Sequence, residues 1–305
     1  MSAAKAENAS NTVGVTVSGG RVAAGLVVNN ALAGPMHYFP EDPEDDAMVE
    51  LPMEGLAAKI CAMILDVAGG SVNAVGVAVP GYVRQGVVEE APNLPQLKGA
   101  RITDLLKLKL KDEGIEARVV TMNDADAVAT GLAATKGQMD RLIRVWTLGN
   151  GIGYGRYPMT EGVWEGGHAV VTLDEKENYC GCGGRGHLEG VMGHRAMRLR
   201  FMDMEPEEIF EAAAASDARC VEFKKLWHKA LAAATATTFH MSGPGKVYIT
   251  GMNARFVDLP MLKDYVHQMV TMSPLQNYSL EVLPGTEEMS ETAVIGAGVT
   301  AAQAA

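Results

Sequence analysis

Both halves of the 305-residue sequence open with the same order of elements: an extended run, a glycine-rich turn and a second extended run. In the first half, residues 13–17 and 22–28 are rich in β-branched side chains and flank a turn at 18–21. In the second half, the extended run 142–148 leads into a glycine-rich turn at 149–153, and another extended run follows. Runs of this kind joined by glycine turns are typical of β-hairpins. The repeated order predicts an α/β fold whose two halves duplicate one structure without an obvious sequence repeat.

Helices and strands fill the rest of the sequence. Apolar residues at helical spacing from Leu56 to Val67 predict a helix that ends at Gly69-Gly70. The other predicted elements are a third extended run at 31–38, a strand at 74–79, a helix at 102–111, a strand at 117–121, a helix at 221–240, a strand at 247–250 and a helix at 291–304. A chain of this length, with 48% hydrophobic residues, can bury one or two cores and is compatible with two domains.

The charge balance and the cysteine content exclude several classes of protein. The sequence holds 26 basic and 37 acidic side chains, so its net charge is -11. An acidic surface repels phosphate backbones and anionic headgroups, so neither nucleic acid nor a membrane is expected as a main partner. Residues 1–11 lack the pattern of a signal peptide. Four cysteines do not make a disulfide framework, and Cys61 and Cys220 are expected in the core, so we expect a cytoplasmic protein in a reducing compartment.

The turn at 149–153 has a composition that suits phosphate binding. Glycine at alternate positions removes Cβ atoms, which allows backbone N–H groups to approach an anion. The spacing differs from the dinucleotide-binding fingerprint, and the sequence has no Gly-Lys-Ser/Thr motif of the P-loop kind. One such turn could simply close a hairpin. Two turns at matching places, with Thr250-Gly251 at the end of a late strand, favour phosphate binding.

The segment Asn123-Asp124-Ala125 lies where a predicted strand ends and a helix begins. An aspartate at such a place can be the N-cap of the helix, and capping alone would explain it. The same carboxylate, held at the C-terminal edge of a strand, could instead accept a proton from a substrate hydroxyl. The residues leave both interpretations of Asp124 open.

The densest group of reactive side chains lies between residues 165 and 189. Cys180 and Cys182, with His168 and His187, supply four ligands that suit a tetrahedral structural zinc. The glycines between them allow a short loop to wrap an ion. Two neighbouring thiols could be inert packing, but two histidines that complete a set of four favour zinc.

Taken together, these motifs resemble the ROK family (repressors, open reading frames and sugar kinases). The resemblance covers nearly the whole chain, from Val13 to the last predicted helix. The segments that carry it are Val79-Pro80-Gly81, Ala91-Pro92-Asn93-Leu94, Asn123-Asp124-Ala125, the turn 148–153, Glu165-Gly166-Gly167-His168 and the segment 180–189. The resemblance implies an actin-like, ribonuclease-H-like α/β fold of two domains, with ATP and a sugar in the cleft between them. Members with the Glu-x-Gly-His arrangement include glucokinases and related hexose kinases.

The resemblance also implies a role for each matched residue. Asp124 corresponds to the general base that takes the proton from the attacking sugar hydroxyl. The implied sugar ligands are Asn93, Asn123, Asp124, Glu165, His168 and Glu189. The implied nucleotide-binding residues are Gly19, Gly20, Gly149, Asn150, Gly151, Gly153 and Gly251. The implied ligands of a structural zinc are His168, Cys180, Cys182 and His187.

The expected domains and partners follow from the same resemblance. We expect a disordered tail at 1–11, a smaller domain built from 12–122 and 290–305, and a larger domain at 123–289 that carries the zinc loop. Mg-ATP and a hexose are the expected small-molecule partners, and a homodimer is the expected assembly.

Several positions depart from the family pattern. The third zinc cysteine of the family is His187 here, which leaves a Cys2His2 set. The first phosphate loop of the family reads Asp-x-Gly-Gly-Thr-Lys, whereas this chain has Thr16 at the acidic position and Gly20 at the hydroxyl position. In the second loop, Asn150 and Tyr154 replace a usual Thr and Gly. The sugar half of the implied site is therefore intact, and the nucleotide half is eroded.

The leading hypothesis is a ROK-type kinase that transfers the ATP γ-phosphate to a hydroxyl of a glucose-like hexose. The alternative is a catalytically weak sugar-binding or sensing protein that has lost ATP chemistry, as Thr16 and Gly20 suggest. A third interpretation is a ROK transcriptional repressor. It is disfavoured because only about a dozen residues precede the first strand and because the net charge is unfavourable for DNA.

Overall fold

The computed structural model describes residues 11–18, 20–42, 45–91, 94–160, 165–283, 285 and 287–304. Contacts divide the chain into two compact units. The first comprises Met1–Met139, Tyr157–Val163 and Ser290–Ala305, and the second comprises Asp140–Arg156 and Trp164–Met289. The predicted tail, except for Asn11, lies outside the described residues, and the domain boundaries expected from the sequence stay a prediction.

The strands and helices of the described chain have the following bounds. The strands are β1 (Thr12–Ser18), β2 (Arg21–Val28), β3 (Ala31–Leu32), β4 (His37–Phe39), β5 (Ala74–Val79), β6 (Tyr82–Arg84), β7 (Val87–Glu90), β8 (Arg118–Asn123), β9 (Ile143–Leu148), β10 (Ile152–Tyr157), β11 (Lys246–Thr250) and β12 (Ser279–Val282). The helices are α1 (Ala47–Glu50), α2 (Met53–Ala68), α3 (Ile102–Asp112), α4 (Asp124–Thr135), α5 (Leu188–Met192), α6 (His194–Arg200), α7 (Pro206–Ala214), α8 (Ala218–Ser242), α9 (Leu259–Met269) and α10 (Glu287–Gln303). Among the described residues, none of these helices is both long and apolar enough to span a bilayer.

Four neighbouring strands of the sheet in the first unit have the same order as the four strands of the sheet in the second unit. In the first unit the order is β3-β2-β1-β5-β8, in which β1 pairs antiparallel with β2 and parallel with β5, and β5 pairs parallel with β8. In the second unit the order is β10-β9-β11-β12, and β11 pairs parallel with both β9 and β12. Each sheet therefore contains a hairpin extended on one side by two parallel strands. This confirms the predicted duplication of one structure.

The third predicted run, at 31–38, is not one strand. It is divided into β3 and β4, which both pair antiparallel with β2. The physical reason is Gly34-Pro35 between them, because proline has no N–H to donate to a sheet and glycine weakens an extended run. The other strands and helices predicted from the sequence are present, with ends that differ by a few residues.

Helix α10 packs directly on the sheet of the first unit. A Cβ added to Gly14 of β1 would lie 1.8 Å from the carbonyl oxygen of Val294, and one added to Gly76 of β5 would lie 1.9 Å from that of Ala297. Helix α4 approaches α10 equally closely, since a Cβ on Gly131 would lie 1.9 Å from the Thr292 carbonyl oxygen. Contacts this short leave no room for a side chain, so glycine is required for the packing.

The second unit has its own core between its sheet and the long helix α8. Trp146, Trp227 and Phe239 are almost fully buried within it. Cys220 is also buried here, and Cys61 is buried in the core of the first unit, which confirms their prediction as core thiols. Helix α8 begins at Ala218 because the Asp217 side chain accepts a hydrogen bond from the Cys220 backbone N–H at 2.9 Å.

A fully buried histidine connects α8 to α9 in this unit. His228 Nδ1 lies 2.7 Å from the Lys224 carbonyl oxygen, and Nε2 accepts a hydrogen bond from the Asp258 backbone N–H at 2.8 Å. Nε2 can accept only in the neutral form of the ring. Burial is the main cause that lowers the pKa of His228, and the charge of Lys224 lowers it further, while the Lys224 carbonyl and Asp258 act in the opposite direction.

We expect His228 to make the second unit less stable in mild acid. Because the folded pKa lies below the unfolded value of about 6.5, the unfolded chain binds the proton more readily. The free energy of unfolding therefore falls as the pH drops below about 6.5, by about 1 kcal/mol for each unit of separation between the two pKa values. Urea unfolding from pH 7.5 to 5 measures this loss, which should be smaller in His228→Gln. The exposed His267→Gln serves as the control, and identical pH profiles for all three proteins would contradict the assignment.

Candidate functional site

Four potential metal ligands converge in the second unit. One ligand atom from each of His168, Cys180, Cys182 and His187 lies within 4.8 Å of all the others. The two sulfur atoms are 3.4 Å apart, and the Cys182 Sγ is 3.3 Å from His187 Nδ1. The centroids of the two imidazole rings are 5.3 Å apart. The structure thus brings together all four residues that the sequence nominated for zinc.

Backbone pairing holds the two histidines on neighbouring segments. Val170 and His187 form an antiparallel bridge, and the Leu188 N–H donates to the Ala169 carbonyl oxygen at 2.9 Å. Gly186 has a φ of +68°, and a Cβ there would lie 2.0 Å from the Thr172 carbonyl oxygen. The loop therefore closes on itself just before His187, and only glycine allows this turn.

The chemistry of this cluster fits a zinc ion. Zn–S bonds of about 2.3 Å and Zn–N bonds of about 2.0 Å in a tetrahedron separate the ligand atoms by about 3.3–3.8 Å. The separation of the two sulfur atoms and that of the Cys182 Sγ from His187 Nδ1 fall in this range, and all four ligand atoms lie within 4.8 Å of one another. Burial raises the pKa of the Cys180 thiol to about 12, so the proton stays on the sulfur until a cation replaces it.

Two carboxylates flank His168 on opposite sides of its ring. The Glu165 Oε2 lies 3.5 Å from Nδ1, and the Glu189 Oε1 lies 4.0 Å from Nε2 and 3.5 Å from the Cys180 Sγ. The other oxygen of Glu189 accepts a hydrogen bond from the Ile152 N–H at 3.0 Å. Glu189 therefore lies between the cysteine cluster and the glycine-rich turn that precedes β10.

The second glycine turn closely contacts both Glu189 and the segment that carries His168. A Cβ on Gly151 would lie 2.6 Å from the Glu189 Oε2, and one on Gly167 would lie 2.0 Å from the Ile152 carbonyl oxygen. The Gly149 N–H donates to the Gly151 carbonyl oxygen at 2.9 Å, which closes the turn. The carboxylates, the histidines and the glycine turn thus form one continuous arrangement within the second unit.

A fully buried asparagine that the sequence did not nominate supports this turn. Asn253 Nδ2 donates to the Gly149 carbonyl oxygen at 3.1 Å, and its Oδ1 lies 3.1 Å from His194 Nδ1. Gly251, two residues earlier, has a φ of +97°, and its Cβ position lies 2.5 Å from the Leu148 carbonyl oxygen. Asn253 is separated from the turn by about a hundred residues, so no local pattern points to it.

A cavity of about 620 Å³ opens beside the turn in the second unit. Its wall includes Asn150 of the turn, His194, Arg195 and Arg198, and Glu205 forms an ion pair with Arg198 at 3.0 Å. The lining thus combines these basic side chains with the acidic side chains of Asp203, Glu205 and Glu208, beside the turn that was predicted to bind phosphate. Gly153 lies in β10, directly after this turn.

The remaining nominated residues belong to the first unit. The Asn123 side chain is the N-cap of α4, since its Oδ1 accepts from the Ala125 N–H at 2.8 Å while its Nδ2 donates to the Gly81 carbonyl oxygen at 2.9 Å. Asp124 is the first helical residue, and its Oδ1 also accepts from the Ala125 N–H, at 2.9 Å. The capping explanation offered for Asp124 was therefore wrong, because the extended backbone of the preceding residue makes Asn123 the cap.

The first glycine turn joins β1 to β2. Thr16 is 2% exposed and lies in β1 between Ala23 of β2 and Ala78 of β5. Gly20 has a φ of +84° with open space at its Cβ position, so the backbone of the turn itself favours glycine. Gly19, nominated for the nucleotide, and Asn93, nominated for the sugar, lie outside the described residues.

Two α/β units that share a hairpin-plus-parallel strand order define the actin-like, ribonuclease-H-like class of proteins. The sequence matches the model of the ROK family over residues 46–304. The matched segment begins after the first glycine turn. The chain therefore belongs to the ROK family, and both the predicted family and the predicted fold are confirmed.

Individual relatives agree with this assignment. The chain is 32% identical over 202 residues to a glucokinase of Pyrobaculum calidifontis. The match covers 61% of this chain and 64% of the glucokinase, so the chain spans slightly less than two thirds of the length of that relative. The fold is similar to that of a ROK hexokinase from Thermus thermophilus, with a TM-score of 0.75, 23% identity and coverage of 95% of this chain and 97% of the other. It is also similar to a ROK family glucokinase from Streptomyces griseus in complex with glucose and AMPPNP, with a TM-score of 0.70, 23% identity and coverage of 96% and 99%.

Proposed function

We propose that this chain is a sugar kinase that transfers the γ-phosphoryl group of ATP to a hydroxyl of a hexose such as glucose. The observation that carries the proposal is the convergence of Glu165, His168 and Glu189 beside the second glycine turn. A neutral sugar gives up its water contacts only for hydrogen-bond partners of comparable quality, and two carboxylates beside an imidazole supply them. The likeness to a glucokinase supports the same reaction.

Asp124 is the proposed general base of this reaction. Its carboxylate takes the proton from the sugar hydroxyl as that oxygen attacks the γ-phosphorus, and the bond from the phosphorus to the leaving oxygen of ADP breaks. The hydrogen bond from the Ala125 N–H orients the carboxylate at the start of α4. The glycine turns would direct backbone N–H groups toward the phosphates, and bound Mg-ATP would supply the phosphoryl group.

A panel of hexoses and hexosamines in a coupled assay of ADP release tests the proposed reaction. We expect turnover with glucose or a close relative that depends on both the sugar and Mg-ATP. The proposal fails if no sugar is phosphorylated at high protein concentration with several nucleotides.

We further propose that the cysteine–histidine cluster holds a structural zinc ion. Zinc would fix the orientation of His168 beside Glu165 and Glu189, which makes the ion a brace for the sugar site. The supporting observation is the set of four ligand atoms within 4.8 Å, two of which are thiols.

Replacement of Cys182 by alanine is expected to weaken zinc binding by more than roughly 100-fold, because a structural site that loses one of four ligands is left incomplete. Zinc content after dialysis against a chelator measures the effect. Cys220→Ala is the matched control, since that thiol is buried in the core of the same unit and is not one of the four clustered ligands. Equal zinc content in both variants would exclude the assigned ligands.

The alternative function is binding of a sugar without phosphoryl transfer. It is motivated by Thr16, a buried and uncharged side chain where the family has an acidic residue. Calorimetry distinguishes the two functions, because a sensor would bind the sugar with unchanged affinity whether or not Mg-ATP is present and would release no ADP.

A further inference from the structure

A buried ion pair connects α6 to the loop at residues 170–187, which carries Cys180, Cys182 and His187. The Arg200 Nη1 donates to the Glu177 Oε1 at 2.8 Å, and Nη2 donates to the second oxygen of the same carboxylate. The Arg200 and Glu177 side chains are only 16% and 10% exposed. Two parallel hydrogen bonds fix the relative orientation of a guanidinium and a carboxylate, which a single ionic contact does not do.

Aromatic rings enclose the same guanidinium. Its central carbon lies 4.4 Å from the centroid of the Tyr179 ring and 5.4 Å from that of Phe223 on α8. Tyr179 directly precedes the first cysteine of the cluster, Cys180. Arg200 therefore holds the loop at two places, through the carboxylate of Glu177 and through the ring next to the metal ligand.

The backbone of Glu177 extends this connection to the far arm of the loop. Its carbonyl oxygen accepts a hydrogen bond from the Gly186 N–H at 2.6 Å, and its own N–H donates to the Asp174 carbonyl oxygen at 3.0 Å. Gly186 directly precedes His187. One residue thus connects both arms of the loop, and Arg200 anchors that residue to α6.

The loop has little apolar burial of its own to hold it in place. Leu173 is 93% exposed, Val170 is 59% exposed and Cys182 is exposed as well, whereas Cys180 is buried and Val171 packs against the core. Ordering a loop costs backbone entropy, which must be offset by other contacts. The pair of Arg200 and Glu177 is the buried polar contact placed to supply that offset.

We propose that Arg200, through Glu177 and Tyr179, is a positioning residue that preorganises the cysteines and histidines for zinc. This inference rests on the zinc site proposed above. A loop already held in the binding geometry loses less entropy when the ion arrives, so its affinity is higher. Partners outside the ligand shell of a metal typically change its affinity by about 10–100-fold.

The test compares zinc affinities measured by competition with a chromophoric chelator. We expect Arg200→Met to bind zinc about 10–100-fold more weakly than the wild type, and Arg200→Lys to fall between the two because it keeps the charge and loses the second parallel hydrogen bond. Arg255→Met is the matched control, since it breaks a more exposed arginine–glutamate pair with Glu207 in the same unit. It should bind zinc like the wild type.

Hydrogen exchange of the metal-free proteins gives a second measurement. Residues 174–187 should exchange faster in Arg200→Met than in the wild type, with α8 unchanged, whereas general destabilisation would accelerate exchange in both. Equal zinc affinity of the wild type and Arg200→Met, or unchanged exchange of the loop, overturns the positioning role and leaves the zinc site intact. A wild-type protein that binds no zinc overturns the zinc site itself, and the positioning role with it.

Discussion

Replacing Asp124 with asparagine is expected to lower kcat for sugar phosphorylation by about 10²–10⁴-fold, the usual contribution of a general base. Asparagine keeps an oxygen that can accept the hydrogen bond from the Ala125 N–H, so the start of α4 should be preserved. The amide cannot take up the proton of the sugar hydroxyl. Sugar affinity, measured separately by calorimetry, should change far less than kcat.

Asp126→Asn is the control for this substitution. It makes the same chemical change two residues further along the first turn of α4, at a residue with no proposed part in the reaction. Its kcat should stay within a few-fold of the wild type, and both variants should melt at similar temperatures. If Asp124→Asn retained most of the wild-type kcat, the general base would have to be another residue.

The second large effect is expected from alanine at Gly76. The new Cβ would lie 1.9 Å from the carbonyl oxygen of Ala297, so β5 and α10 would have to separate. Overpacking of a closely packed interior costs about 1–3 kcal/mol, and a clash between two backbones belongs at the upper end. For a unit of this size, about 3 kcal/mol lowers the melting temperature of the first unit by roughly 6–12 °C.

Gly34→Ala is the matched control for Gly76→Ala. Nothing lies within 4 Å of its Cβ position, and its φ is outside the left-handed region. Its stability should stay within about 0.5 kcal/mol of the wild type. Calorimetric melting of both variants measures the difference. An unchanged melting temperature for Gly76→Ala would show that α10 does not pack on β5 in solution.

Local patterns were sufficient to predict most of the secondary structure. The β-branched run of β5 and the apolar spacing of α2 depend on neighbours a few residues away, which a sequence displays directly. The cysteine cluster was also predictable, because four metal ligands of suitable type lie within twenty residues of one another. Gly34 and Pro35 explain why β3 and β4 are separate strands. The length of the apolar run around them led instead to the prediction of a single strand.

Side chains that act over long sequence separations could not be predicted in this way. Asn253 supports the turn at Gly149, and Arg200 holds Glu177, through contacts that only the folded chain creates. The helix cap is Asn123 rather than Asp124 because the backbone of Asn123 is extended, and both residue types are common caps. The sequence indicates which residue types are available, and the fold decides which atoms they contact.

The packing of α10 on Gly14 and Gly76 has a consequence for synthesis on the ribosome. The strands β1, β5 and β8 emerge early, whereas α10 follows the whole of the second unit in the sequence. Until α10 is made, Gly14 and Gly76 lack the helix that packs directly against them, and α4 lacks its own close contact at Gly131. We therefore expect the second unit to fold first and the first unit to complete its core last, so that chaperone demand should be greatest while α10 is still inside the exit tunnel.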